Sequence, residues 1–311
     1  MFVIKYRKIF FTITLLIAAF SAFSLFYYGL NFGIDFKGGS ILEVSYSAPA
    51  SSAGGNSSAR PSVETVRENL NKLDLGAYSV SPSGESNFIL KTEEISPEKK
   101  TEIMKALTVG SAVPKEERFN SIGPVVGEEL KNKAYVAIGV VLICIMIFIT
   151  FAFRKVSEPV SSWKYGLATI VGLSNDILVP AGIFVAFAHF YGGEIDMLFV
   201  TALLAILGYS VHDKIVVFDR VRENLKINKE TRNREEFDIT VGRSIAQTLG
   251  RSINTSLTIF LVLAALYFIG GESTRNFSFV LLVGVVVGTY SSILFAAPLL
   301  VTIQKFQKKK A

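Results

Sequence analysis

Residues 209–220 read YSVHDKIVVFDR and set His212, Asp213 and Lys214 side by side in an otherwise apolar run. On a soluble helix such a trio would be a solvated face. Inside a membrane each charged group costs roughly 2.5–3.5 kcal/mol or more and is retained for ion movement or helix pairing. Helical spacing puts Tyr209 one turn before Asp213 and Val217 one turn after it, so a phenol and a carboxyl group share one face. Neighbouring residues point about 100° apart, which turns His212 and Lys214 elsewhere. Lys214 is read as a lipid-edge anchor that snorkels to the interface. His212 is read as a packing or hydrogen-bonding partner, with a supporting part in proton transfer left open. Asp176 follows Asn175 in a second apolar run, and Arg251 opens the stretch RSINTSLT. Arg251 either faces Asp213 as its charge partner or anchors the start of a span; spacing leaves both readings open. The chemistry these residues could perform is ion coupling. A neutral carboxyl group tolerates hydrocarbon, whereas its anion demands water or a cation, so proton uptake at such a site biases helix arrangement.

Those residues need a membrane bundle to hold them. The chain has 311 residues, half of them hydrophobic, and a mean hydropathy of +0.44, too apolar for a soluble protein of this length. Stretches of about 20 apolar residues suffice to cross roughly 30 Å of hydrocarbon. Four uncharged ones lie at 9–30, 134–153, 252–269 and 277–303, and two more, 166–189 and 197–218, appear once Asp176 and Asp213 are tolerated. The expected architecture is therefore an α-helical membrane protein with six spans. The first span could be mistaken for a signal peptide, but its apolar run is long and FYYGLNFGIDF lacks a small-residue cleavage pattern, so a retained anchor is expected.

Basic residues in short loops set the orientation. Lys5, Arg7 and Lys8 precede the first span, Arg154, Lys155 and Lys164 separate the second from the third, 220–251 is rich in arginine, and the chain closes on QKKKA. The 191–196 loop carries neither Lys nor Arg. Both termini are thus expected in the cytoplasm, with a cytoplasmic loop at 219–251 and a basic tail at 304–311. The net charge of +6 follows from this bias and from attraction to anionic membrane lipid, and implies no nucleic-acid partner. A single cysteine, Cys144, excludes an intramolecular disulfide.

Residues 1–30 make the N-terminus and first span, and 31–133 form a polar segment long enough to fold alone, placed on the extracytoplasmic side. SILEVSYSA alternates as a strand, and SSAGGNSSARP is a loop. Val63, Val66, Leu70 and Leu73 recur at helical spacing, and AYSVSPSGESNFILKTEE reads as two strands around a turn. Ser96 caps a second helix with Pro97 at its first position, and RFNSIGPVVG is a last extended piece. The order βαββαβ predicts an α+β, ferredoxin-like domain, which by itself implies no function. GIDFKGGS, residues 33–40, imitates a phosphate-binding loop, but Gly39 stands where the lysine is required. Gly38 and Gly39 are read instead as a tight turn into the first strand. No metal cluster, nucleophile triad or complete nucleotide loop argues for an enzyme or a cofactor.

The outer domain after the first span, GIDFKGGS at its start, DKIVVFDRVREN closing the fourth span, GRSINTSLT opening the fifth and GTYSSI in the sixth together resemble the SecD/SecF family of bacterial protein-translocase subunits. The resemblance covers essentially the whole chain. It implies a relation to resistance-nodulation-division exporters and residence in the bacterial inner membrane. The partners it implies are SecD, the SecYEG channel and YajC, with unfolded preprotein as substrate. The implied activity uses the proton-motive force to assist preprotein movement, while the outer domain grips or releases the emerging chain. Asp213 then becomes the proton carrier, Arg251 its charge partner, and Asp219, Arg220, Arg222, Glu223 and Asn224 a structural cluster. His212 stands where the family commonly has Asn, which bears on local hydrogen bonding and on the coupled ion. A static scaffold subunit and a proton-coupled small-molecule exporter are the alternatives.

Overall fold

The computed structural model describes residues 2–46, 60–84, 86–110, 112–154, 160–233 and 235–308. These fall into two compact units, one formed by 1–31 with 135–311 and one by 32–134. The loop expected at 51–61 lies outside the described residues except for Arg60 and Pro61, as does the end of the basic tail.

Helices α1 (Phe2–Lys5) and α2 (Arg7–Tyr27) open the chain, and a single turn, α3 (Ile34–Lys37), leads into strand β1 (Gly39–Tyr46). Helix α4 (Val63–Leu70), the hairpin β2 (Tyr78–Ser83) and β3 (Asn87–Thr92), helix α5 (Pro97–Ala106) and strand β4 (Pro114–Ile122) complete the smaller unit. The sheet order is β2-β3-β1-β4 and every pairing is antiparallel, the connectivity of the expected ferredoxin-like domain. Period-two alternation drives it: Leu42, Val44, Phe88 and Leu90 point inward and meet Val66, Leu70 and Ile103 from the two helices and Leu107 just past α5. Ser62 and Ser96 cap α4 and α5 by accepting from Thr65 N and Lys99 N, and Pro97 takes the first position of α5. Tyr46 donates its phenol proton to Leu107 O at 2.7 Å, and burial pushes that phenol up to about 12.

At the GIDFKGGS turn, Gly38 and Gly39 adopt φ of 79° and 136°. A Cβ on Gly38 would sit 2.7 Å from the Pro124 backbone, so both conformation and close packing exclude other residues there. The segment GPVVG, expected to be extended, instead begins helix α6 (Pro124–Ala152), because Pro124 supplies the fixed φ of a first helical turn.

Helices α7 (Ser162–Tyr191), α8 (Met197–Glu230) and α9 (Phe237–Ile269) follow, then α10 (Glu272–Tyr290), a π-helical turn at Ser291–Ala296 and α11 (Ala297–Lys308). Six helical segments are long and apolar enough to cross a membrane, the last running through α10, the π turn and α11 as Thr274–Phe306. α7, α8 and the α10–α11 rod form the interior, while α2, α6 and α9 expose most of their surface. The expected 219–251 loop shrinks to 231–236, since α8 runs on to Glu230 and α9 starts at Phe237. The polar residues of this stretch zip the two helices together. Asn224 Nδ2 donates to Ser244 Oγ (2.8 Å) and Gln247 Oε1 (2.9 Å), and Asn228 Nδ2 donates to Glu235 Oε2 (2.9 Å) and Thr240 Oγ1 (3.0 Å). Arg220 reaches Gln247 and Glu223, and Arg222 reaches Asp219.

Two outcomes follow for stability. Leu90→Ala, at a position 1% exposed, should cost about 2–5 kcal/mol. Hydrogen exchange on the full chain checks it, with faster exchange in β1 and β3. For Glu235, burial opposes the charge, but hydrogen bonds from Asn228 and Thr240 and the Arg243 guanidinium 3.0 Å away outweigh it and hold the carboxyl below its usual range. A depressed carboxyl contributes stability that is present above its unfolded value of about 4.3 and lost as pH falls through the folded one. Exchange protection at the α8–α9 turn should therefore drop on acidification below about pH 4.3, and Glu235→Gln should flatten that dependence.

Candidate functional site

α8 carries Asp213 and Lys214 near its midpoint and distributes them to two different neighbours. Asp213 is 7% exposed and turns toward α9, where Ser252 Oγ donates to its Oδ1 at 2.6 Å. Its Oδ2 is buried with no hydrogen-bond partner among the described residues. One turn earlier the Tyr209 phenol meets Ser256 Oγ at 2.5 Å, and Ser256 meets Thr289 Oγ1 of α10 at 2.5 Å. Tyr209 and Asp213 are four apart on α8, as Ser252 and Ser256 are on α9, so the two helices meet in two stacked polar rungs. Ser256 also donates to Ser252 O at 2.7 Å, which ties the rungs together. The Ser252–Asp213 rung and the Tyr209–Ser256–Thr289 rung are thus joined through the Ser252 backbone carbonyl rather than by a continuous run of hydroxyls.

The opposite side of α8 faces α7. Lys214, fully buried, donates from Nζ to Asp176 Oδ2 and, at 2.6 Å, to Ser210 Oγ, and Ser210 donates to the same carboxylate oxygen. This corrects the reading of Lys214 as a snorkelling anchor: a carboxylate on α7 compensates its charge where it stands, so the ammonium has no need of the interface. Gly172 makes the approach possible, since a Cβ there would lie 2.6 Å from Lys214 Cε. Gly288 on α10 likewise lets the helix close on Ser210, 3.1 Å from where its Cβ would be.

Of the residues singled out from sequence, Asp213 and Tyr209 share the α8–α9 seam, and Asp176 belongs to the α7–α8 pair. Arg251 and His212 are exposed and stand apart from both. Arg251 makes no ion pair with Asp213 among the described residues; one step further round α9, Ser252 takes the position facing the carboxyl. His212 has no hydrogen bond among the described residues, because the turn that buries Asp213 swings it outward. Sequence reasoning missed Ser210, Ser252, Ser256 and Thr289. The spacing of Ser252 and Ser256, matching Tyr209 and Asp213, is the signal that could have found two of them.

The chain was then compared with known proteins. A family model described as Protein export membrane protein SecD/SecF, C-terminal, matches residues 102–306, and one described as SecD/SecF GG Motif matches residues 23–50. The Protein translocase subunit SecF of Thermobaculum terrenum is 40% identical over 309 residues, covering 96% of this chain and 93% of that protein. Its counterpart in Anaerolinea thermophila is 35% identical over 297 residues, covering 95% and 91%. The crystal structure of SecDF from Thermus thermophilus, described as a translocon-associated membrane protein, superposes with a TM-score of 0.76 at 31% identity. The match takes in 97% of this chain and 38% of that longer one, so this chain spans well under half of SecDF. With six apolar helices, a βαββαβ domain between the first two and relatives matched over nearly their full length, the chain belongs to the SecD/SecF family of protein-export membrane proteins, among its SecF translocase subunits.

Proposed function

We propose that this chain uses the proton-motive force to promote preprotein movement across the cytoplasmic membrane, acting beside SecD and the SecYEG channel, with YajC as a further associate. The observation that carries the reading is Asp213: a carboxyl group buried among membrane helices, bonded through one oxygen to a neutral hydroxyl, with no cation at ion-pairing distance among the described residues. The anion would need water or a positive charge, which the α8–α9 seam can admit only by opening. Each elementary charge moved through the membrane potential releases about 2.3 kcal/mol per 100 mV, enough to bias such an opening.

In this reading both termini lie in the cytoplasm and residues 31–133 form the extracytoplasmic domain that grips or releases the emerging preprotein. Tyr209, one turn from Asp213 on the same face of α8, assists the proton's movement, with Ser256 and Thr289 holding its phenol in place. Asp176 belongs to the scaffold, paired to Lys214. Arg251, exposed on α9, is available to a second subunit rather than to Asp213 within this chain. The role is that of a transport subunit, not of an enzyme.

Reconstitution of the chain with SecD and the channel in vesicles that carry a proton gradient tests the reading. Asp213→Asn should lower the gradient-dependent part of preprotein export by about tenfold or more, equivalent to about 1.4 kcal/mol on the limiting step, while the complex still assembles. Export that is unchanged at full assembly would show a static scaffold instead. Tyr209→Phe, which removes the hydroxyl but keeps the ring, should reduce the same component by a smaller factor, about threefold, with the ATP-driven component untouched. Replacing the proton gradient by a sodium gradient should not restore export.

A further inference from the structure

The Lys214–Asp176–Ser210 cluster lies on the opposite side of α8 from Asp213 and holds the most deeply buried charges among the described residues. Asp176 and Lys214 both have no exposed side-chain surface. Lys214 Nζ donates to Asp176 Oδ2 and to Ser210 Oγ, a set of oxygens in which an alkali cation would find carboxylate and hydroxyl ligands suited to a hard ion. Two further oxygens at this place are buried without a hydrogen-bond partner among the described residues: Asp176 Oδ1 and Ser291 Oγ. Ser291 opens the π-helical turn of the last span. Its Oγ and the Lys214 Cε both converge on Gly172, at 3.5 Å and 2.6 Å from where a Cβ would stand, so the hydroxyl borders the lysine's slot. π turns widen a helix locally and re-aim side chains, commonly at functional sites.

We propose that Asp176 and Ser210, with the unpartnered Ser291 hydroxyl bordering them, form a monovalent-cation site which the chain keeps filled with its own tethered ammonium, Lys214. A free ion can leave and must be supplied; a lysine side chain cannot leave and has no concentration dependence. The α7–α8 crossing is thereby made indifferent to the alkali-ion content of the medium, and Asp213 is left as the one buried carboxyl group on α8 open to exchange. The inference stands on the cluster itself and does not require that Asp213 carry protons.

The test removes the tether and offers cations in its place. The purified full chain, wild type and Lys214→Ala, is unfolded thermally at one ionic strength in the chlorides of sodium, lithium, methylammonium or choline. The wild-type midpoint should be the same in all four. Lys214→Ala should be destabilised in choline and should regain about 4 °C or more in about 100 mM sodium, lithium or methylammonium, as expected for a ligand held only by the folded state. Adding Asp176→Asn to Lys214→Ala should abolish the regain while leaving a folded protein, because the neutral pair needs no cation. Several results would overturn the proposal: choline restoring Lys214→Ala as well as sodium does, a regain that survives Asp176→Asn, no regain in any salt, or a wild-type chain that itself shows an Asp176-dependent sodium shift. Failure of Lys214→Ala to fold in every salt would overturn it too, since an added cation is required to restore the contact.

Discussion

An ammonium and a carboxylate sealed together inside a helix bundle hold α7 against α8, and the residues around them are those that let the two backbones come close. Desolvating both ions costs several kcal/mol each, and their attraction repays it only when geometry and hydrogen bonding are good. Ser210, four residues before Lys214, supplies the hydrogen bonding from the same helix face. Gly172 supplies the space. Between helices in lipid, where burying one apolar surface against another gains little over contact with acyl chains, small residues and polar contacts decide which faces meet. The same device recurs where Gly284 receives Ile206 and where Gly182 receives Ser21 of α2, so the interior is a set of close approaches centred on α7, α8 and α10.

Once Lys214 is committed to α7, the geometry of α8 commits Asp213 to α9. Consecutive helical residues diverge by about 100°, so a single helix addresses two neighbours with adjacent charges, one compensated and one not. The two aspartates therefore differ in kind. Asp176 shares one oxygen with a cation and a hydroxyl, and any loss of its charge would orphan the ammonium. Asp213 meets a hydroxyl and, among the described residues, takes part in no ion pair.

Hydropathy and helical spacing were enough to count the spans, to place a βαββαβ domain between the first two and to set Tyr209 and Asp213 on one face, because each of these follows from the chain's own periodicity. What periodicity cannot report is which helix lies opposite. Lys214 read as an anchor because its distance from a basic cluster is visible in sequence, whereas its distance from Asp176 is set by a tertiary crossing. Spacing left Arg251 open between a partner for Asp213 and an anchor, and the family resemblance alone favoured the partner; Ser252 is the residue whose helical phase matches. The extent of α8 was hidden for a related reason. Arg220, Asn224 and Asn228 look like loop composition, but on a helix they form one polar stripe that pairs with Ser244, Gln247 and Thr240 of α9.

That stripe bears on how α9 can respond to Asp213. At the Phe237 end, α9 is fastened to α8 by the hydrogen bonds of Asn224 and Asn228, which include one that Arg243 donates to Asn228 Oδ1. Further along, its grip on the interior passes through Ser252, Ser256 and the contacts with α10, while Ile253, Leu257, Leu261 and Val262 remain exposed. A helix fixed at one end and held along its length by hydroxyl contacts, each worth about 0.5–1.5 kcal/mol, yields at the hydroxyls first. The fold thus separates a rigid pairing from a yielding one across the width of a single helix, and the adjacent positions 213 and 214 mark the division.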